Sequence, residues 1–261
     1  MPDIKAIFLD IDGTLVSFNT HEVPQSTIEA LHKVRAMGVK IFIATGRPQP
    51  FVDNLGTLQY DGIMTVNGAS CKTVDGEIIT HNPILRDDLF RLIEYYKDHP
   101  FPIAFASDDD TFITGTNEES KHILEILNIP CPVVKPIEEC LQMDVMQIIS
   151  FFPPEEEEFL MQNIFKGCAT QRWHPFFADV IRAGSDKSKG IDAIAQYYGI
   201  PLSQIMAFGD GGNDISMLKH VGYGIAMGNA KDIVKASARY VTDGVDENGI
   251  FNALNRFFHL E

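Results

Sequence analysis

The chain has 261 residues, 45% of them hydrophobic, enough to bury a sizeable core as one large or two modest domains. Its 36 acidic residues against 21 basic ones give a net charge of −15, which argues against nucleic acid or an anionic membrane as the main partner. No run approaches the ~20 apolar residues of a membrane span, the first hydrophobic stretch carries two aspartates, unlike a leader peptide, and Cys71, Cys131, Cys140 and Cys168 lack C-x-x-C spacing. A cytoplasmic protein with free thiols is expected.

Residues 4–15 read I-K-A-I-F-L-D-I-D-G-T-L. The apolar run has the pattern of a central parallel strand covered on both faces. Ligands of open α/β sheets sit beyond the carboxyl ends of such strands, where Asp10 and Asp12 would emerge. Residues two apart on a strand point the same way, so extended geometry through Ile11 would aim both carboxylates into one cleft. Their repulsion calls for a divalent cation or a shared proton. D-x-D-G is also ordinary turn chemistry, and the rest of the chain has to decide between the two.

Residues 24–37 place Ile28, Leu31, Val34 and Met37 at helical spacing, with Gly38 as the stop. A second strand at 39–44 ends in Thr45-Gly46-Arg47-Pro48, and Pro48 suits the first turn of a following helix. A third at 63–66 ends in Asn67-Gly68, equally readable as a turn or a loop near phosphate; Asp75-Gly76 then marks a hairpin. This alternation implies a parallel sheet. From Asn82 the rhythm changes to helices at 86–99, 117–127 and 154–165, and strands at 103–105, 112–114, 146–152 and 177–182, an α+β pattern. The acidic runs 108–110 and 155–158 fit a hairpin loop and a helix's first turn better than metal sites. Residues 171–175, Q-R-W-H-P, gather a cation, the only tryptophan and a histidine; they either pack within this unit or touch a substrate's leaving group.

The first rhythm returns with G-S-D-K-S-K-G at 184–190, a helix through Tyr198 and a strand at 205–208 that ends in G-D-G-G-N-D. A strand at 222–227, a helix near 230–238, a short strand at 240–242 and a helix from Glu247 follow. The expected organisation is one sheet domain from 1–81 and 185–261, with 82–184 inserted. Four junctions then offer complementary groups at one sheet edge: Asp10 with Asp12, Thr45, Lys187, and Asp210 with Asn213 and Asp214. The carboxylates suit a hard cation such as Mg²⁺. Lysine, threonine and backbone amides suit a phosphoryl group. The eight histidines have no metal-ligand spacing, and residues 209–213 lack the P-loop pattern.

These motifs, in this order, resemble the haloacid dehalogenase (HAD) superfamily of phosphatases, in particular its Cof-type, sugar-phosphate branch. D-I-D-G-T-L from Asp10 matches the family's first motif, Thr45 in A-T-G-R the second, Lys187 the third, and G-D-G-G-N-D from Gly209 the fourth. The resemblance implies an α/β fold, a Rossmann-like parallel-sheet core with an inserted α+β cap. It implies Asp10 as the nucleophile that forms an aspartyl-phosphate, and Asp12 as general acid and base. It assigns Mg²⁺ to Asp10, the backbone carbonyl of Asp12 and Asp210, with Asp214 a further ligand through water or a support. Thr45, Gly46, Lys187 and Asn213 would hold the phosphoryl group or substrate. A carboxylate with an ordinary pKa of about 3.9 is ionised at neutral pH and needs no activating partner. The implied activity is Mg²⁺-dependent hydrolysis of small phosphate monoesters, sugar phosphates foremost, so the partner is a small phosphorylated metabolite. A phosphomutase of the same superfamily would need cations for a second phosphate, and the insertion has only Arg86, Arg91, Arg172 and Arg182 as arginines. A non-catalytic sugar-phosphate sensor would not need Asp12.

Overall fold

The computed structural model describes residues 3–126 and 130–260. The first stretch holds β1 (Ala6–Leu9), α1 (Gln25–Ala36), β2 (Lys40–Ala44), β3 (Gly62–Thr65), β4 (Ser70–Thr73) and β5 (Ile78–His81). The middle holds α2 (Arg86–Tyr96), β6 (Ile103–Ala106), β7 (Thr111–Ile113), α3 (Glu118–Ile126), β8 (Val133–Val134), β9 (Gln147–Ser150), α4 (Pro154–Asn163), β10 (Cys168–His174) and β11 (Phe177–Arg182). The last stretch holds α5 (Lys187–Tyr198), β12 (Ile205–Gly209), α6 (Ile215–His220), β13 (Tyr223–Ala226), α7 (Asp232–Lys235), β14 (Tyr240–Val241) and α8 (Gly249–Phe258). Contacts divide the chain into two units: Met1–Arg47, Val52–His81 and Asp186–Glu261 in one, Pro48–Phe51 and Asn82–Ser185 in the other.

In the first unit an eight-stranded sheet runs β14-β13-β12-β1-β2-β3-β4-β5, with β14 to β3 parallel and the β4–β5 hairpin antiparallel. From β1 the chain moves outward one way to β2 and β3 and returns on the other side as β12 and β13. That reversal is the topological switch point where doubly wound sheets bind ligands. Strand alternation splits β1 cleanly: Ile7 and Leu9 join one buried cluster with Leu31 of α1 and Leu254 of α8, whereas Ala6 and Phe8 join another with Ile191 of α5 and Met217 of α6. Both faces of the sheet are therefore covered, which is why its central strands read as unbroken apolar runs. The second unit has a six-stranded sheet ordered β10-β11-β9-β6-β7-β8. One face packs Phe105, Ile148 and Val180 against Leu92 of α2 and Leu160 of α4; the other packs Ala104 and Ile113 with Ile123 of α3.

Two expectations need correction. The strand carrying Asp10 ends at Leu9, and Ile11 lies in a turn, so strand alternation does not set the direction of Asp12. After Pro48 there is only a single 3-10 turn, Gln49–Phe51; Pro50 disfavours α geometry at Gln49, the residue before it. Residues 171–174 belong to β10, which pairs antiparallel with β11 through a bulge between Gln171 and His174. The helix read over 117–127 is α3, and Leu127 lies outside the described residues.

Candidate active site

Asp10 follows the last residue of β1 and is 5% exposed. Its backbone N–H donates to the Phe208 carbonyl of β12 (3.1 Å), so the carboxylate starts from the switch point. Residues 11–16 then close a tight loop: Gly13 N–H donates to Val16 O (2.9 Å), and Val16 N–H to Ile11 O (2.8 Å). Gly13 has φ 80°, and a Cβ there would lie 2.4 Å from Asp210 Oδ2. Only glycine suits this position, on both counts.

Lys187 opens α5 and is fully buried, its ammonium donating to Asp10 Oδ1 (2.7 Å) and Asp214 Oδ1 (2.5 Å). The helix starts here because Asp186 caps it, accepting from the N–H groups of Ser188 (2.8 Å) and Lys189 (3.3 Å). The approach of α5 is set by two glycines. A Cβ on Gly68 would lie 2.5 Å from the Asp186 carbonyl, and one on Gly190 only 3.1 Å from Gly68 Cα. Gly68 (φ 93°) ends a turn in which Val66 (φ 48°) and Asn67 (φ 50°) are also left-handed, a conformation that costs a β-branched residue most. The turn is held by Val66 N–H to Arg47 O (3.1 Å) and Asn67 N–H to Thr45 O (3.0 Å). Thus the ambiguous Asn67-Gly68 is a turn that also seats the helix bearing Lys187.

Beyond β12, Asp210 receives Thr14 Oγ1–H on Oδ1 (3.0 Å). Asp214 is fully buried, and its Oδ2 accepts the N–H groups of Asp210 (3.0 Å) and Gly211 (2.8 Å). Asn213 donates to Asn67 Oδ1 (2.9 Å), and both amides converge where a Gly46 side chain would be. Thr45 is fully buried, with Oγ1 accepting Arg47 N–H (3.0 Å). Asp12 is partly exposed and held by the Arg47 fork, with Nε to Oδ2 at 2.9 Å and Nη2 to Oδ1 at 2.6 Å.

Burial, then the charge of Asp214, push the Asp10 carboxyl well above its usual range, while Lys187 pulls it back. The same two causes raise Asp210 to about 6. Burial alone would lower the pKa of Lys187; the charges of Asp10 and Asp214 outweigh it and keep the ammonium protonated. An ordinary carboxylate pKa therefore does not describe Asp10, which depends on neighbouring positive charge for its ionisation. One oxygen from each of Asp10, Asp210 and Asp214 lies within 4.8 Å of the others. Such an all-oxygen set fits a hard divalent cation such as Mg²⁺, whose charge would offset the burial and the Asp214 repulsion that raise Asp210.

Residues 7–254 match the family model for haloacid dehalogenase-like hydrolases. The chain belongs to that family. BT4131, a subclass IIB sugar phosphatase, is 43% identical, with a TM-score of 0.84 over 97% of this chain and 98% of its own. BT1666, a phosphatase of Bacteroides thetaiotaomicron, is 41% identical, with a TM-score of 0.88 over 97% and 95%. YkrA of Bacillus subtilis (strain 168) is 30% identical over 97% of each chain. This family member is a HAD-type phosphatase with the expected parallel-sheet core.

Asp10, Lys187, Asp210 and Asp214 come together, Asn213 meets Asn67 beside Gly46, and Asp12 turns to Arg47 rather than joining the three clustered carboxylates. Sequence reasoning overlooked Arg47, although it stands beside Thr45, and also Thr14 and Asn229. Asn229 was detectable as a polar residue in M-G-N-A at the end of a strand. In the second unit, Arg172 is committed locally: it pairs with Glu157 (2.6 Å), donates to the Phe152 and Pro175 carbonyls, and stacks over the Phe152 ring at 4.9 Å. His174 Nδ1 accepts Phe176 N–H (3.3 Å), and the side chain of Trp173 lies outside the described residues. Packing therefore accounts for Arg172. Arg172→Ala should lower unfolding free energy by about 1–3 kcal/mol in urea denaturation, from its charged hydrogen bonds and ring contact. Unchanged stability together with a loss confined to one substrate would restore the leaving-group role.

Proposed function

We propose that this phosphatase hydrolyses small phosphate monoesters, sugar phosphates in class, through a phosphorylated Asp10, with Mg²⁺ as its cofactor. The observation that carries the reading is the buried Asp10–Lys187–Asp214 triad beside Asp210, at the switch point of the sheet. Asp10 Oδ1 is engaged by Lys187, which leaves Oδ2 to attack phosphorus. The P–O bond to the leaving group breaks, and Asp12 gives that oxygen its proton. Water then attacks phosphorus, Asp12 takes the water's proton, and the bond to Asp10 breaks to release phosphate. A proton on Asp12 requires one arm of the Arg47 fork to open. Thr45, the Gly46 backbone, Lys187 and Asn213 would hold the phosphoryl oxygens and the substrate. Asp10, Asp210 and the Asp12 carbonyl would hold Mg²⁺, which when bound supplies positive charge against the phosphoryl oxygens. Asp214 is better suited to support than direct ligation, since Lys187 and two backbone N–H groups occupy its oxygens.

Residues 82–184 are proposed as the cap that selects the substrate, a reading supported by their insertion between two halves of one sheet unit. Exchanging them for a relative's segment should change the preferred ester and leave the metal requirement intact. A cytoplasmic setting is the reading that fits cysteines held as thiols. The test of function is a panel of phosphate monoesters with Mg²⁺ or with a chelator, reading free phosphate and sugar. Activity surviving exhaustive chelation would remove the metal, and positional isomerisation without phosphate release would replace hydrolysis by mutase chemistry.

Asp210 adds a pH dependence. Its folded pKa of about 6 lies above the ordinary 3.8, so its stabilising contribution is full below about pH 4 and lost as pH rises through 6. A cation relieves that cost only where the carboxylate is ionised. Mg²⁺ should therefore raise the melting temperature more at pH 7.5 than at pH 5, and equal increments at both would contradict the linkage.

A further inference from the structure

Asn229 follows β13 in a loop pressed against the segment after β14. Gly228 permits this: a Cβ there would lie 2.6 Å from Gly244 N, and Gly228 N–H donates to Asp243 O (3.0 Å). From this position the Asn229 amide joins three separate segments. Its Nδ2 donates to Gly13 O (2.9 Å) and to Asp210 Oδ2 (3.2 Å), and its Oδ1 accepts Val245 N–H (3.0 Å). The orientation is dictated by the partners, because an N–H can face only Oδ1 and a carbonyl or carboxylate only Nδ2. The side chain is exposed, yet both of its ends are used.

Hydrogen bonds of an exposed amide add little to folding stability, because water replaces them when they are lost. Geometry is what this amide fixes. Gly13 and Asp210 belong to the two loops that carry Asp10, the Asp12 carbonyl and Asp210, and these loops already touch at Gly13. With Thr14 on Oδ1 and Asn229 on Oδ2, the Asp210 carboxylate is held in plane at both oxygens while each keeps a lone pair.

We infer that Asn229 is a positioning residue that staples the Gly13 loop to Asp210 and so sets the affinity of the site for a divalent cation. The inference rests on the metal reading above. Orienting partners of metal ligands are worth 10–100-fold in affinity, so Asn229→Ala should weaken Mg²⁺ binding, measured by calorimetry, about 10-fold or more. Asn229→Ser, which retains a donor, should fall between Ala and the parent and serves as the readout if the Ala variant folds poorly. The melting temperature in chelator should fall by no more than about 2 °C, and kcat at saturating Mg²⁺ should stay near the parent's. An unchanged Kd in either variant would overturn the staple alone. So would a rise in Kd that tracks an equal loss of metal-free stability, since that marks a general structural role. A parent protein that binds no Mg²⁺ in the same calorimeter would overturn the metal reading and the staple with it.

Discussion

Asp10→Asn should lower turnover by about 10³-fold or more while leaving the folded protein more stable than its parent. The first half follows from the chemistry: an amide cannot form the acyl phosphate, and nothing else at the end of β1 can replace it. The second follows from the surroundings. Asp10 is 5% exposed, and burial together with Asp214 raises its pKa well above normal, so holding it ionised costs stability. Asparagine keeps an oxygen for Lys187 and removes the like charge facing Asp214. Activity would then have been selected against stability at this position, as at many active sites. Urea denaturation and phosphate release check both halves; near-parental turnover would refute Asp10 as nucleophile, and a marked loss of stability would refute the account of its charge.

Lys187→Met produces the opposite pattern, losing both. Its ammonium is the one cation hydrogen-bonded to Asp10 and Asp214 among the described residues, and all three side chains are buried. Removing one member of such a cluster leaves charge uncompensated in the interior, which costs about 3–5 kcal/mol. Catalysis should fall by about 10²–10³-fold as well, the usual cost of deleting a preorganised charge from the reacting centre. Combining Lys187→Met with Asp10→Asn should recover part of the lost stability, since one of the stranded charges is gone, and recover none of the activity. Recovery no greater than the gain that Asp10→Asn gives alone would show that the two side chains act independently.

Much of this arrangement was legible in the sequence because the chemistry sits at strand ends, where unbroken apolar runs stop abruptly at polar residues. Asp10, Thr45 and Asp210 each follow such a run, and the order of the motifs carried the family and the fold. What the sequence concealed lay in loops. The direction of Asp12 depends on a turn at Ile11 and on Arg47, a contact across 35 residues that no local pattern encodes. The helix expected after Pro48 does not form, since Pro50 disfavours α geometry at the residue before it. In the insertion, the alternation of residues 171–174 is interrupted by a bulge, so the sequence left packing and substrate contact both open for Arg172. The left-handed conformation of Val66 could not be foreseen at all, since valine is among the residues least suited to it.

The position of β1 has a consequence for how the molecule comes into being. It lies between β2 and β12, so its register with Ile205–Phe208 can form only after a loop of about three quarters of the chain has closed. Long loop closures come late and slow the folding of proteins rich in distant pairings. Until then one side of β1 is an unpaired strand edge, open to other chains. Lys187 reaches Asp10 across 177 residues and arrives by the same late step. A partly folded chain thus has no partial catalytic centre, and the appearance of activity during refolding reports that the last central strand has been inserted.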